Sequence, residues 1–281
     1  MGESNQGTLY LVATPIGNLG DVSARAAQTL REVDFIAAED TRVTRKLLEH
    51  LDLKKPLVSY YEHNRRESGE KIKSRILSGE NCALVTDAGT PGISDPGEDL
   101  VRICTAAGIQ MKIIPGPCAA VSALSLSGLA AGRFTFEGFL STSRKSRFTH
   151  LDALKAEKRT MVFYEAPHKL QRTLEDMLAA FGDRRVSISR EMTKIYEETI
   201  RCTLSEAIDL FAQTPPRGEF VLVIEGMPDA PLPAADINSA VSAAKAYIDG
   251  GLSPKDAIKK AAEEASIPKN TLYNAVMKEK E

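Results

Sequence analysis

A run of glycines, prolines and aspartates between residues 87 and 97 is the strongest candidate for chemistry in this chain. The run, Asp87-Ala88-Gly89-Thr90-Pro91-Gly92-Ile93-Ser94-Asp95-Pro96-Gly97, holds three glycines and two prolines in eleven residues. That composition fixes an unusual backbone and brings N–H and C=O groups close to a ligand, while Asp87 and Asp95 add carboxylates. Such a loop favours a cationic ligand or one with many donors. A connecting loop with acidic turn residues explains the pattern equally well.

Three further clusters of turn-forming and polar residues each follow a short apolar run. They are Thr14 to Asp21, Glu39 to Arg42 and Pro115 to Ala119. In a parallel sheet, ligands bind outside the carboxyl ends of the strands. The four clusters therefore predict one ligand site along one edge of a sheet. The sequence motifs of P-loop NTPases, α/β-hydrolases, zincins and the usual dinucleotide site are absent.

The elements that must position these clusters follow from the pattern of apolar residues. Strand and helix patterns alternate through the first half of the chain, as in a doubly wound parallel sheet. After Pro115-Gly116-Pro117 the pattern is less regular and predicts a second α/β half. We expect α/β domains over residues 1–116 and 117–228, a linker from Pro228 to Pro233, and a small helical unit, similar to a helix-turn-helix, over 235–281.

Capping residues predict two helix starts. Asp21 precedes a helix-period run from Val22 to Val33, so we expect it to cap the first helix. The segment Ser253-Pro254-Lys255-Asp256 places Ser at the N-cap, Pro at the first helical position and Asp at the third. This segment should begin a helix of the C-terminal unit.

Composition limits the class of protein. With 36 Lys and Arg against 38 Asp and Glu, the net charge is −2, and 43% of residues are hydrophobic. Intrinsic disorder and binding of nucleic acid by overall charge are therefore excluded. Four scattered cysteines and four distant histidines give no metal-ligand spacing, so we expect no metal site. The N-terminus lacks a secretory pattern, and Pro and Gly interrupt the uncharged stretch 113–132, so we expect a cytoplasmic protein without a membrane span.

The clusters occur in an order that resembles a known family. With Ile114-Pro115-Gly116-Pro117 and Phe163-Tyr164-Glu165-Ala166-Pro167-His168, they resemble the tetrapyrrole-methylase-like S-adenosylmethionine enzymes over about residues 8 to 227. The resemblance is closer to the branch that 2′-O-methylates a cytidine of small-subunit (16S) ribosomal RNA, because the loops at Pro15-Ile16-Gly17-Asn18 and Asp87-Ala88-Gly89-Thr90 are those of that branch. It implies an α/β, two-domain tetrapyrrole-methylase-like fold with parallel-rich sheets, S-adenosylmethionine as cofactor, and a homodimer.

The resemblance also implies that the cofactor lies in the cleft between the two α/β domains. A sulfonium cation and an adenine in an apolar cleft are compatible with the carboxylates and bare backbone of these loops. Cys118 follows Pro-Gly-Pro and is expected to pack rather than react, since methyl transfer needs no thiol. The implied cofactor contacts are Pro15, Asp87, Ala88, Gly89, Cys118, Ala119, Tyr164, Glu165 and Ala166.

Attack of a ribose 2′-hydroxyl on the sulfonium methyl benefits from positioning, a proton acceptor and a nearby cation. Asp40 and Arg42 follow a predicted strand end, and Lys194 lies in a second polar cluster, so each could face the substrate. A structural ion pair explains Asp40 with Arg42 equally well, and a solvated charge explains Lys194. We therefore take these three residues as catalytic candidates.

Basic patches beside the cleft are the candidates for contact with the 16S RNA of the small subunit. They are Arg45, Lys46, Arg65, Arg144, Lys145 and Arg147. Any one of them could instead be a solvated face. The alternative functions are methylation of a small tetrapyrrole-like molecule or of a protein, and RNA binding without turnover. Cofactor binding would test the last, and methyl transfer to RNA would test the others.

Overall fold

The computed structural model describes residues 6–228, 237–265 and 267–278. It forms two compact units, Met1–Met227 and Pro228–Glu281. The predicted linker after residue 228 and the first two residues of the predicted helical unit lie outside the described residues. Within the described ranges, no helix combines the length and the apolar composition that a membrane span requires.

The first sheet is wholly parallel, as the alternating pattern predicts, with the order β3-β2-β4-β1-β5. Its strands are β1 (Thr8–Val12), β2 (Phe35–Ala38), β3 (Leu57–Ser59), β4 (Cys82–Val85) and β5 (Gln110–Ile114). The helices between them are α1 (Ala24–Glu32), α2 (Thr41–His50), α3 (Arg65–Leu77) and α4 (Gly97–Ala106). Strands β2 and β4 are buried along their whole length, because helices cover both faces of the sheet.

The second sheet is mixed, with the order β6-β7-β10-β8-β9. Its strands are β6 (Phe134–Phe139), β7 (Thr160–Glu165), β8 (Arg185–Arg190), β9 (Glu198–Thr203) and β10 (Phe220–Ile224), and its helices are α5 (Ala119–Ser127), α6 (Arg144–Ala153), α7 (Pro167–Phe181) and α8 (Leu204–Gln213). Only β6 and β7 run parallel, so the expected parallel character is limited here to one pair. The connection from β8 to β9 is too short for a parallel crossover, which explains their antiparallel pairing.

The second sheet is covered on both faces. Helix α5 packs Ala123 and Leu124 against Val162 and Val223 on one face. On the other face, Leu222 of the central strand β10 lies in an apolar cluster with residues of α6, α7 and α8. The sheet is therefore held between helices, with its carboxyl edge at β7 beside the loops of the first sheet.

The C-terminal unit is a bundle of three helices, α9 (Ile237–Asp249), α10 (Pro254–Glu264) and α11 (Lys269–Lys278). Val241, Ile258 and Leu272 form its core. The predicted helix start is confirmed: Ser253 caps α10 and accepts a hydrogen bond from the backbone N–H of Asp256. The predicted cap at Asp21 is wrong, because Asp21 ends a 3₁₀ turn and Ser23 caps α1 instead.

Removal of the Leu222 side chain tests the central position of β10. Leu222 is fully buried, so Leu222→Ala should lower the free energy of unfolding by about 2–5 kcal/mol through lost burial and a cavity. Leu210→Ala on the exposed side of α8 is the matched control and should cost less than about 1 kcal/mol. Urea unfolding of both variants measures the difference, and equal losses would contradict this packing.

Candidate active site

The loops after β1, β4 and β5 meet at Gly89. Thr14 and Gly89 form an isolated antiparallel bridge, in which the N–H of Thr14 donates to the carbonyl of Gly89 (2.9 Å) and the reverse bond is 3.1 Å. Thr90 Oγ1 donates to the carbonyl of Pro117 at 3.1 Å. Gly89 has a φ of +87°, and a Cβ there would lie 3.4 Å from Ile16 Cγ2. The left-handed backbone favours glycine here, whereas the contact with Ile16 would be an ordinary van der Waals distance.

The loop from Asp87 to Gly97 is held by its own carboxylate. Asp95 accepts hydrogen bonds from the backbone N–H groups of Gly92 (2.8 Å), Ile93 (3.1 Å) and Gly97 (2.7 Å). Burial raises the pKa of Asp95, while these bonds favour its ionised form. Asp95 thus holds the loop in its folded conformation. From the sequence alone, an aspartate at this position could equally have bound a ligand.

A cavity of 470 Å³ lies between these loops and the carboxyl edge of the second sheet. Its volume lies within the usual range for small-molecule sites. Eight of the nine residues expected to contact the cofactor line it, namely Asp87, Ala88, Gly89, Cys118, Ala119, Tyr164, Glu165 and Ala166. The ninth, Pro15, lines a neighbouring cavity. The structure thus places eight of the predicted residues around one cavity and the ninth at the cavity beside it.

Sequence reasoning missed several residues of this cavity wall, among them Phe139. The Phe139 ring is 54% exposed and lies 5.4 Å from the Tyr164 ring, between centroids. The register of β6 shifts between Phe136 and Gly138, and Gly138 has a φ of +63°. This bulge turns Phe139 toward the cavity. A glycine within the strand, Gly138, was the sequence signal that could have indicated the bulge. Met192, Glu219 and Val221 also line the cavity, but they lie outside any recognised motif.

Two of the lining residues from β7 are fixed by hydrogen bonds. Tyr164 Oη accepts from the backbone N–H of Ala120 at 3.2 Å, and burial raises the pKa of Tyr164 to about 12. The Glu165 side chain is buried and is 2.6 Å from Thr173 Oγ1 and 2.9 Å from Lys169 Nζ. Glu165 is therefore fully engaged and supplies a rigid wall rather than a free charge.

Glu39 and Asp87 make the opposite wall acidic. Thr86 Oγ1 donates to Glu39 Oε2 at 2.7 Å, and the backbone N–H of Asp40 donates to Asp87 Oδ1 at 2.9 Å. Burial, followed by the nearby charges of Glu39 and Asp40, raises the pKa of Asp87, although its hydrogen bond opposes this. An acidic, partly enclosed wall suits a cationic ligand.

A second cavity of 310 Å³ adjoins the first and shares Asp87, Ala88 and Glu219 with it. Lys46 and Lys194 also line this second cavity. Lys194 Nζ lies 2.9 Å from both Glu191 Oε1 and Glu219 Oε2. Partial burial lowers the pKa of Lys194, but the hydrogen bonds to Glu219 and Glu191 outweigh it and raise the pKa overall. Lys194 is therefore a fixed cation at neutral pH.

Asp40 and Arg42 form an ion pair of 2.6 Å and line neither cavity. Asp40 also caps α2 by accepting the backbone N–H of Arg42 at 2.8 Å. The hydrogen bonds from the Arg42 side chain and backbone lower the pKa of Asp40 to about 2. The Arg42 side chain is 84% exposed. The structure thus shows Asp40 and Arg42 as an ion pair, the alternative to a direct catalytic role that the sequence left open.

Five of the six basic residues expected to contact RNA are exposed, namely Arg45, Lys46, Arg65, Arg144 and Lys145. Arg65 pairs with Asp99 at 2.6 Å. Arg147 is buried: its Nε donates to Asp176 at 2.6 Å, and its Nη1 donates to the carbonyl of Ser141 at 3.0 Å. The expectation for Arg147 is therefore corrected, because its guanidinium joins α6 to α7 and does not reach solvent.

Metal ligands and thiols do not converge in the parts of the chain that the structure describes. Within them, no group of three or more His, Cys, Asp or Glu side chains could hold a metal ion. All four cysteines are free, and Cys118 at the cavity is partly buried.

Comparison with known proteins agrees with this geometry. The family model of Tetrapyrrole (Corrin/Porphyrin) Methylases matches residues 8–208. The chain is 46% identical over 268 residues to Ribosomal RNA small subunit methyltransferase I of Synechocystis sp., covering 95% of this chain and 96% of the relative. It is 48% identical over 273 residues to the protein of the same name from Halalkalibacterium halodurans, covering 96% and 94%.

Among solved structures, the chain is similar to uroporphyrin-III C-methyltransferase from Thermus thermophilus complexed with S-adenosylhomocysteine. The TM-score is 0.56 at 14% identity, covering 78% of this chain and 97% of that one. At this identity the likeness shows the shared fold. The family match and the near-complete alignments show that the chain belongs to the tetrapyrrole methylase family, within its group of ribosomal RNA small subunit methyltransferase I proteins.

Proposed function

We propose that this chain transfers a methyl group from S-adenosylmethionine to the ribose 2′-oxygen of a cytidine in the 16S ribosomal RNA of the assembled small subunit. The observation that carries the proposal is the pair of adjoining cavities that meet at Asp87 and Ala88. One has an acidic wall suited to a sulfonium, and the other is lined by Lys46, suited to a phosphate, and by Lys194, which is paired with Glu219. The names of the relatives support the same substrate class.

We assign the cofactor to the 470 Å³ cavity. Bound S-adenosylmethionine supplies an electrophilic methyl group. The backbone of Asp87, Ala88 and Gly89 offers it polar partners, and Phe139 with Tyr164 offers aromatic surface. Pro15 closes the side toward the second cavity. The Thr14–Gly89 bridge holds this backbone in place before any ligand arrives.

We assign proton acceptance to Asp87. A general base works best when its pKa approaches the working pH. The pKa of Asp40, about 2, makes that carboxylate a weak base, whereas the pKa of Asp87 is raised. Asp87 Oδ1 is engaged by the backbone N–H of Asp40, so Oδ2 takes the proton of the 2′-hydroxyl as the methyl group leaves sulfur for the 2′-oxygen.

Lys194 and the Asp40–Arg42 pair have supporting roles in this proposal. Lys194 lines the second cavity as a fixed cation, and it stabilises negative charge that develops on the 2′-oxygen. Asp40 positions Asp87 through its backbone N–H. The exposed guanidinium of Arg42, with Arg45 and Lys46 on the same helix, contacts phosphates of the RNA.

The substrate can be tested directly with purified small ribosomal subunits that lack the modification. Incubation with labelled S-adenosylmethionine should put label on one cytidine, and the adjoining bond should resist alkali because its 2′-hydroxyl is blocked. Nuclease mapping identifies the nucleotide. Subunits that stay unlabelled, although the chain binds S-adenosylhomocysteine, would contradict the proposal and favour a small-molecule acceptor.

The base can be tested by comparing two isosteric variants. Asp87→Asn keeps the oxygen that accepts from Asp40 but cannot take a proton, so kcat should fall by about 100-fold or more. Asp40→Asn is the matched control and should stay within about 3-fold, because a carboxylate with such a low pKa contributes little as a base. Single-turnover transfer measures both, and calorimetry with S-adenosylhomocysteine confirms loading. Equal effects of the two substitutions would overturn the assignment.

We further propose that the chain acts in the cytoplasm as a homodimer, as the family resemblance implies. Val121 and Leu126 leave apolar surface exposed on α5, and Ile113 does so on the edge strand β5. Burial of such surface between two copies would be favourable. Sedimentation should give twice the mass of the chain, and a single-chain mass at micromolar concentration would contradict the dimer.

A further inference from the structure

The loop between β8 and β9, residues 191–197, carries two strongly exposed apolar side chains. Ile195 is 95% exposed and Tyr196 is 74% exposed, more than any other large apolar residue in the part of the chain that the structure describes. Scattered exposed apolar residues are ordinary on protein surfaces, but two in succession at a loop tip are less so. Such exposure is typical of a surface that binds a partner.

The backbone of this loop is fixed rather than free. Glu191 and Thr193 have φ values of +49° and +65°, which cost energy in residues other than glycine. Hydrogen bonds maintain that conformation: Thr193 N–H donates to Glu197 Oε2 at 2.8 Å, and Lys194 N–H donates to the Glu191 carbonyl at 3.0 Å. Ile195 and Tyr196 therefore stand on a rigid support.

The loop also has a definite place beside the two cavities. Met192 lines the cofactor cavity, and Lys194 lines the second one. The loop packs against the first loop of the chain so closely that a Cβ on Gly17 would lie 2.6 Å from Lys194 Cγ. Tyr196 itself lines neither cavity, but it follows Lys194 by two residues, so the two Cα atoms lie within about 7 Å of each other. Lys46 also lines the second cavity.

We propose that Tyr196, supported by Ile195, stacks against an RNA base next to the acceptor nucleotide; this inference rests on the proposed function. A nucleotide that enters an enclosed cavity must leave its own stack, which exposes the face of its neighbour. An aromatic ring covers such a face whatever the base, and Lys46 at the second cavity attracts the adjoining phosphates. On this proposal, the rigid loop holds the ring beside that neighbouring base.

The proposal can be tested by methyl transfer to unmodified small subunits. Tyr196→Ala should reduce kcat/KM by about 10-fold to 100-fold, mainly through KM, because a stacking partner is lost. Tyr196→Phe and Tyr196→Trp keep an aromatic face and should stay within about 3-fold of the wild-type chain. The affinity for S-adenosylhomocysteine should be the same in all variants. Leu77→Ala, an exposed apolar side chain at the far end of α3, is the matched control and should match the wild type.

Three results would overturn the stacking role. Tyr196→Ala could turn over like the wild type, Tyr196→Phe could be as impaired as Tyr196→Ala, or Tyr196→Ala could change the sedimenting mass, which would mean that a second copy covers this tip. If the wild-type chain is active and any of these results is found, the stacking role is contradicted and the proposed function is not. Absence of transfer by the wild-type chain contradicts the proposed function, and the stacking role with it.

Discussion

The two backbone hydrogen bonds between Thr14 and Gly89 are the interaction on which the rest of the site depends. They join loops that leave neighbouring parallel strands, β1 and β4, at the same edge of the sheet. Thr90 then extends the connection to the carbonyl of Pro117, after β5. Three separate segments of the chain thereby become one surface, and its exposed amides and carbonyls are set by the fold rather than by the ligand. A surface fixed in this way loses little entropy on binding.

Charged groups around the two cavities differ in how far the protein itself engages them. Asp95 and Glu165 use their oxygens within the protein, and each closes a loop or a helix start. Asp87 has one oxygen engaged and a raised pKa, whereas Lys194 keeps its charge between two carboxylates. The walls are therefore held by internal bonds, while Asp87 lines both cavities and Lys194 lines the second.

Much of this arrangement could be predicted from the sequence, because glycine, proline and aspartate after apolar runs have local causes. The carboxyl ends of parallel strands share one edge, so the clusters had to meet. The start of α10 followed from Ser253 and Pro254 alone. The cap of α1 did not, since Asp21 and Ser23 are both good caps and a 3₁₀ turn engages the first.

What could not be predicted depends on partners distant in sequence. Arg147 belongs to a basic run, yet Asp176 on the next helix draws it into the interior. Phe139 turns toward the cavity because Gly138 shifts the register of β6, and a one-residue shift exchanges the faces of a strand. The direction of β10 depends on both of its neighbours. In each case the residue type is compatible with two placements, and only the tertiary contact selects one.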